Sequence, residues 1–240
     1  MLSAIKKQFK TQCRDWLGIM TVLMLGSAVF GGILFAVIAA LDHETDSYFA
    51  MGTVIAGIMA VMFTGIMMMA SLSQLFNLEV SMGCTRKHFF ISYYTLGFFV
   101  GLCGVVMLWL INMAENTMNR VMYPGMSEEI SFLPYLLKWG IPVMTVILVL
   151  AGFCGALMMR FGKVAGWILW FLWMFGWLGL PRIQEAVEKA PDSLFGRIGS
   201  IAANMLRMVP LHTWVCIAVL VSILAFAGTW VLLRRQQVTS

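Results

Sequence analysis

Apolar residues run along the chain in six long blocks separated by short polar stretches. The blocks are Trp16–Leu41, Tyr48–Leu75, Phe89–Met113, Leu133–Met159, Val164–Leu180 and Trp214–Leu233. A helix needs roughly 20 apolar residues to cross a hydrocarbon core of about 30 Å, and each block nears or exceeds that. Lipid offers no partners to backbone N–H and C=O groups, so only helices or closed barrels are stable there, and these runs are too long for barrel strands. The pattern predicts an all-α fold: one polytopic transmembrane domain over residues 1–240 with six transmembrane helices.

Composition strengthens this reading. Charged residues are 11% of the chain and apolar ones 61%, whereas a soluble domain is about one quarter charged. The few charges also sort by side. Lys6, Lys7, Lys10 and Arg14 precede the first block, and Arg86 and Lys87 separate the second from the third. Arg160 and Lys163 lie between the fourth and fifth, and Arg234 and Arg235 follow the sixth. The alternate loops carry Asp42, Glu44, Asp46, Glu115, Glu128, Glu129, Glu185, Glu188 and Asp192. The positive-inside rule then predicts cytoplasmic termini. The basic rim suits anionic headgroups of a lipid membrane. It lies at membrane boundaries and not on one folded face, so no nucleic-acid partner is expected. The first apolar run exceeds the 7–15-residue core of a signal peptide and is expected to remain as a span.

The polar segments between the blocks carry the chain's remaining chemistry. Residues 1–16 predict an interfacial amphipathic helix, with Ile5, Phe9, Cys13 and Trp16 on one face and the four bases on the other. The competing reading is an ordinary basic flank. Residues 76–88 predict a cytoplasmic coupling loop: a short apolar stripe of Phe76, Leu78 and Met82 beside Glu79, a helix stop at Gly83, and a cap at Thr85. Arg86 and Lys87 then begin the next helix, although a plain solvated turn would carry the same signs. Arg160-Phe161-Gly162-Lys163 is a four-residue turn whose glycine spacing does not fit a phosphate loop. Residues 181–213 predict a helical outer hairpin between spans five and six. Ile183, Ala186, Val187 and Ala190 form its first face, and Ile198, Ile201, Ala202, Met205 and Leu206 its second, with Pro210 ending it. Gly97 with Gly101, and Gly162 with Gly166, have the spacing of close helix approaches. Met67-Met68-Met69 fits either an adaptable path or simple gap filling.

Catalytic chemistry has little footing here. The centres of the six blocks lack Asp, Glu, Lys, Arg and His, the residues that mark proton relays and voltage sensors in membranes. His43, His88 and His212 fall on separate segments, and Cys13, Cys84, Cys103, Cys154 and Cys216 show no metal-ligand spacing. The expectation is a chain that is not an enzyme and holds no catalytic, metal or cofactor site.

The layout as a whole resembles the ABC-2 (type V) permease family, and Ser81-Met82-Gly83-Cys84-Thr85-Arg86-Lys87-His88-Phe89-Phe90 is similar to its Ser-x-Gly-x-(Ser/Thr)-Arg-Lys-x-Phe signature. The likeness is to small Gram-positive permeases of peptide and bacteriocin export or immunity. It implies a bacterial cell-membrane exporter subunit, with ATP and magnesium held by a separate ATPase subunit. Residues 76–88 would be the coupling helix, touching the ATPase through Phe76, Leu78, Glu79, Met82, Gly83, Thr85, Arg86 and Lys87. Arg160 and Lys163 would give a second cytoplasmic contact. A second permease chain, identical or paralogous, would complete the path, and the outer hairpin (Ile198, Ile201, Met205) would act in release. Amphipathic peptides and lipophilic compounds are the implied cargo. Two other classes stay open: a membrane sensor or immunity protein without transport, and the substrate-capture subunit of an ECF-type vitamin importer.

Overall fold

The computed structural model describes residues 2–41, 47–81, 83–128, 130–189, 197, 199–200 and 209–236; within these the side chains of 2–11, 177, 180, 184, 186 and 188 are not described. The fold is all-α. Helices α1 (Leu2–Leu41), α2 (Met51–Ser81), α3 (Arg86–Met122), α4 (Leu133–Phe161), α5 (Lys163–Met174), α6 (Leu180–Lys189) and α7 (Leu211–Arg235) follow one another in chain order. Five of them, α1 to α4 and α7, are long and apolar enough to cross a membrane. By contact the chain divides into two compact units, one built on residues up to Gly152 and the other on Phe153–Gln236.

In the first unit, α1, α2 and α3 pack on one another, and glycines set how closely. Gly31 of α1 meets the start of α2 so tightly that a Cβ there would lie 2.5 Å from Gly52 Cα. On α3, Gly97 receives Met68 of α2, Gly101 receives Met144 and Leu148 of α4, and Gly104 receives Met20 of α1. The glycine spacing read as a helix-approach face is therefore filled from within the chain. Flexible thioethers occupy the notches that the absent side chains leave, and this is what methionine does well in irregular gaps.

Several expectations are corrected. Residues 1–16 are not a separate helix: α1 runs unbroken from Leu2 to Leu41, and Trp16 is buried in the packed core of the unit. The side chains of Ile5 and Phe9 lie outside the described residues. The third block extends nine residues further than its apolar run, to Met122, because a line of polar side chains there faces inward. Two dipeptides, β1 (Ser47–Tyr48) and β2 (Ser127–Glu128), form a small parallel ladder that was not expected. The segment Val164–Leu180 is not one regular helix. It is α5, then a π-helical turn over Phe175–Gly179, then α6.

Proline explains the π turn. Pro181 has no N–H and its ring crowds the preceding turn, so a regular helix cannot continue through it. A wider turn just upstream absorbs the mismatch, and the helix resumes. Gly179 makes room, since a Cβ there would stand 2.8 Å from the Phe175 ring. Further on, Gly199 sits against Ile183 and Val187 of α6, where a Cβ would come within 2.5 Å of Val187. Ile183 and Val187 are both half-buried; the side chains of Ala186 and Ala190 lie outside the described residues. Ile198, Ile201 and Met205 lie outside the described residues.

Candidate functional site: a capped turn and a buried polar junction

The turn between α2 and α3 is built by local chemistry. Gly83 has φ +84, a conformation that favours glycine, and the amides of Gly83 and Cys84 bond back to Val80 O (3.1 Å) and Glu79 O (2.9 Å). These two bonds, 5→2 and 6→1, define a Schellman stop. Thr85 then caps α3, accepting from the His88 amide at 3.4 Å, with its hydroxyl also 2.7 Å from His88 Nδ1. Gly83→Ala is expected to cost about 1 kcal/mol through backbone strain alone, because the space around its missing Cβ is open. A thermal melt of the purified chain checks this, and an unchanged midpoint would show that the turn relaxes freely.

The candidate coupling residues divide sharply. Leu78 is 53% exposed, and Lys87, His88, Ser81 and Thr85 are exposed beside it. Phe76, by contrast, is fully buried. Its ring meets Phe89 edge-on at 5.4 Å, and Phe89 stacks on Tyr93 at 5.7 Å, whose hydroxyl donates to Met68 O. Glu79 is buried too, and lines a small cavity with Gln12, Ser92 and Tyr93. Phe76 and Glu79, both expected to touch the ATPase, are instead enclosed by this chain, which corrects the sequence expectation. Met82 lies outside the described residues. Arg86 is half-buried at the start of α3. In the turn, burial and then the nearby Glu79 push the Cys84 thiol up, against the opposing pull of the Phe89 amide. This thiol is therefore a poor nucleophile near neutral pH. In the other unit, Arg160 and Lys163 are exposed on either side of Gly162, which turns the chain at φ 59.

At the opposite end of the first unit is a site that sequence reading missed. Glu115, assigned to a loop by its charge, lies inside α3 and is buried. Its Oε1 accepts from the Gly52 amide at 2.8 Å, and Oε2 accepts from the Thr53 amide and the Thr53 hydroxyl, both at 2.7 Å. Glu115 thus caps α2 from another helix, filling the role that a capping side chain normally plays within one chain segment. The partial positive charge at the α2 N-terminus favours a carboxylate there. Asn112 donates to Thr53 Oγ1 at 3.3 Å, and Asn116 reaches Glu128 at 3.2 Å. Arg120 stands 4.0 Å from Glu128. The signal was present: Asn112, Glu115, Asn116 and Asn119 fall at i, i+3, i+4 and i+7, one face of a helix.

Among the described residues no cluster of His, Cys, Asp and Glu is arranged to hold a metal ion. Comparison with family models, with curated proteins and with solved structures finds no match to this chain.

Proposed function

We propose that this chain is the membrane-spanning subunit of an ATP-driven exporter in a bacterial cell membrane, with ATP hydrolysed on a separate subunit. The observation that carries the reading is the capped turn at 81–88. It is held from below by the Phe76–Phe89–Tyr93 stack and presents Leu78 and Lys87 outward. A rigid turn between two long helices passes a push on its exposed side to both of them. In this reading the turn and the Arg160–Lys163 corner face the cytoplasm, as do both termini. The stretch Val164–Leu180, through α5 and the π turn, supplies a sixth crossing. A second permease chain completes the path, and amphipathic peptides or lipophilic compounds are the cargo.

The exposed side of the turn is the place to test this reading. Leu78→Ser with Lys87→Glu alters the exposed side of the turn and leaves the aromatic stack alone, so stability should hold within about 0.5 kcal/mol. Recovery of an ABC-type ATPase subunit from the native membrane, in a pull-down from detergent, should fall about tenfold, since a buried apolar anchor often carries over 1 kcal/mol. If the folded double variant still recovers and stimulates the ATPase, the segment is only a turn. If no ATPase is recovered by the wild-type chain, a sensor or immunity role becomes the better reading.

A further inference from the structure

Beside the buried junction, α1 and α3 leave between them a groove of about 390 Å³, within the range of about 300–1,000 Å³ usual for small-molecule sites. Its walls are apolar and exposed, with Leu25, Val29 and Ile33 on α1 and Met118 on α3. Among the described residues, Glu115 is the one ionisable residue that lines it.

The electrostatics of that carboxylate select the occupant. Three donors already meet it, two on Oε2 and one on Oε1, and a carboxylate has about four acceptor positions. Oε1 therefore keeps an acceptor position. The α2 N-terminus offsets only about half an elementary charge, which leaves net negative charge at the apolar groove. A cation completes the balance, and an anion would be repelled.

From this we propose that the α1–α3 groove binds a lipophilic amine, its ammonium donating to Glu115 Oε1 and its hydrocarbon part lying along Leu25, Val29 and Ile33. The site belongs to this chain alone and does not depend on an ATPase partner.

The test uses the full chain in liposomes and a diazirine-bearing alkylammonium as photoprobe. Label should map to peptides covering 25–36 and 111–122. Excess dodecylammonium should suppress it, and dodecanol, which has the same tail and no charge, should need about tenfold more to do so, as losing one charge-assisted hydrogen bond implies. Gly32→Leu fills the groove without touching the junction, since nothing lies within 4 Å of a Cβ at Gly32, and it should cut labelling about tenfold if that affinity is lost. Glu115→Gln should remove the preference for ammonium over dodecanol. Should that variant fail to fold, the Gly32→Leu and dodecanol arms still decide. Unchanged labelling in Gly32→Leu would overturn the site. Equal competition by dodecanol would make the groove a plain acyl-chain slot. Protection of the groove by a cross-linkable second copy, with no labelling of wild type, would make the occupant another protomer.

Discussion

Glu115→Ala is expected to lower the thermal midpoint of the protein in detergent more than any other substitution of a charged residue. The change deletes all three acceptor contacts at the α2 N-terminus at once. The orphaned amides cannot turn to water, because the Gly52 turn is pressed against Ala28 O and Gly31 of α1. A buried donor left without a partner costs about 1–3 kcal/mol, so the loss should reach about 3–5 kcal/mol. Glu115→Gln keeps one acceptor oxygen and should recover part of it. Gly52→Ala attacks the same place by sterics: its Cβ would lie 2.6 Å from Ala28 O and 2.9 Å from Glu115 Oε1. The first of these is backbone and cannot swing away. Circular dichroism melts of the three variants would show the order. A wild-type midpoint for Glu115→Ala would mean that the junction contributes nothing.

Phe76→Ala should be nearly as damaging, at about 3–5 kcal/mol. The ring is fully enclosed, and its removal leaves a cavity under the α2–α3 turn and strips one partner from Phe89. Edge-to-face pairs add about 0.5–1.5 kcal/mol beyond area burial. Leu78→Ala, two residues away, should stay within about 0.5 kcal/mol of wild type. Thermal melts separate the two cleanly. Equal, small effects from both would mean that Phe76 is exposed and that the turn packs differently.

The contrast between these two residues shows where sequence reading ends. Helix existence was legible from the length of the apolar runs, and the stop at Gly83 and cap at Thr85 were legible because capping is local. Which apolar side chain faces the protein was not. Lipid is as apolar as leucine, so a membrane helix loses the polar stripe that marks the outer face of a soluble one. Phe76 and Leu78 therefore read alike, yet one is enclosed and the other 53% exposed. The same logic hid Glu115. Charge alone argues for a loop, and only the α2 N-terminus, some 60 residues earlier in the chain, makes burial affordable. The glycines of α3 were legible as a contact face, but their partners on three other helices were not. The π turn was not legible, because its cause, Pro181, lies just beyond the apolar run that defines the block.

The junction also has an order of manufacture. Its parts are supplied at Ala28 and Gly31, then Gly52 and Thr53, and last Glu115. On a growing chain the first two helices emerge while the third is still being synthesised. Through that interval the first turn of α2 has no carboxylate, and its amides must be held by water or by headgroups at the interface. The N-terminal turn of α2 therefore gains its carboxylate cap only once α3 is in place beside it.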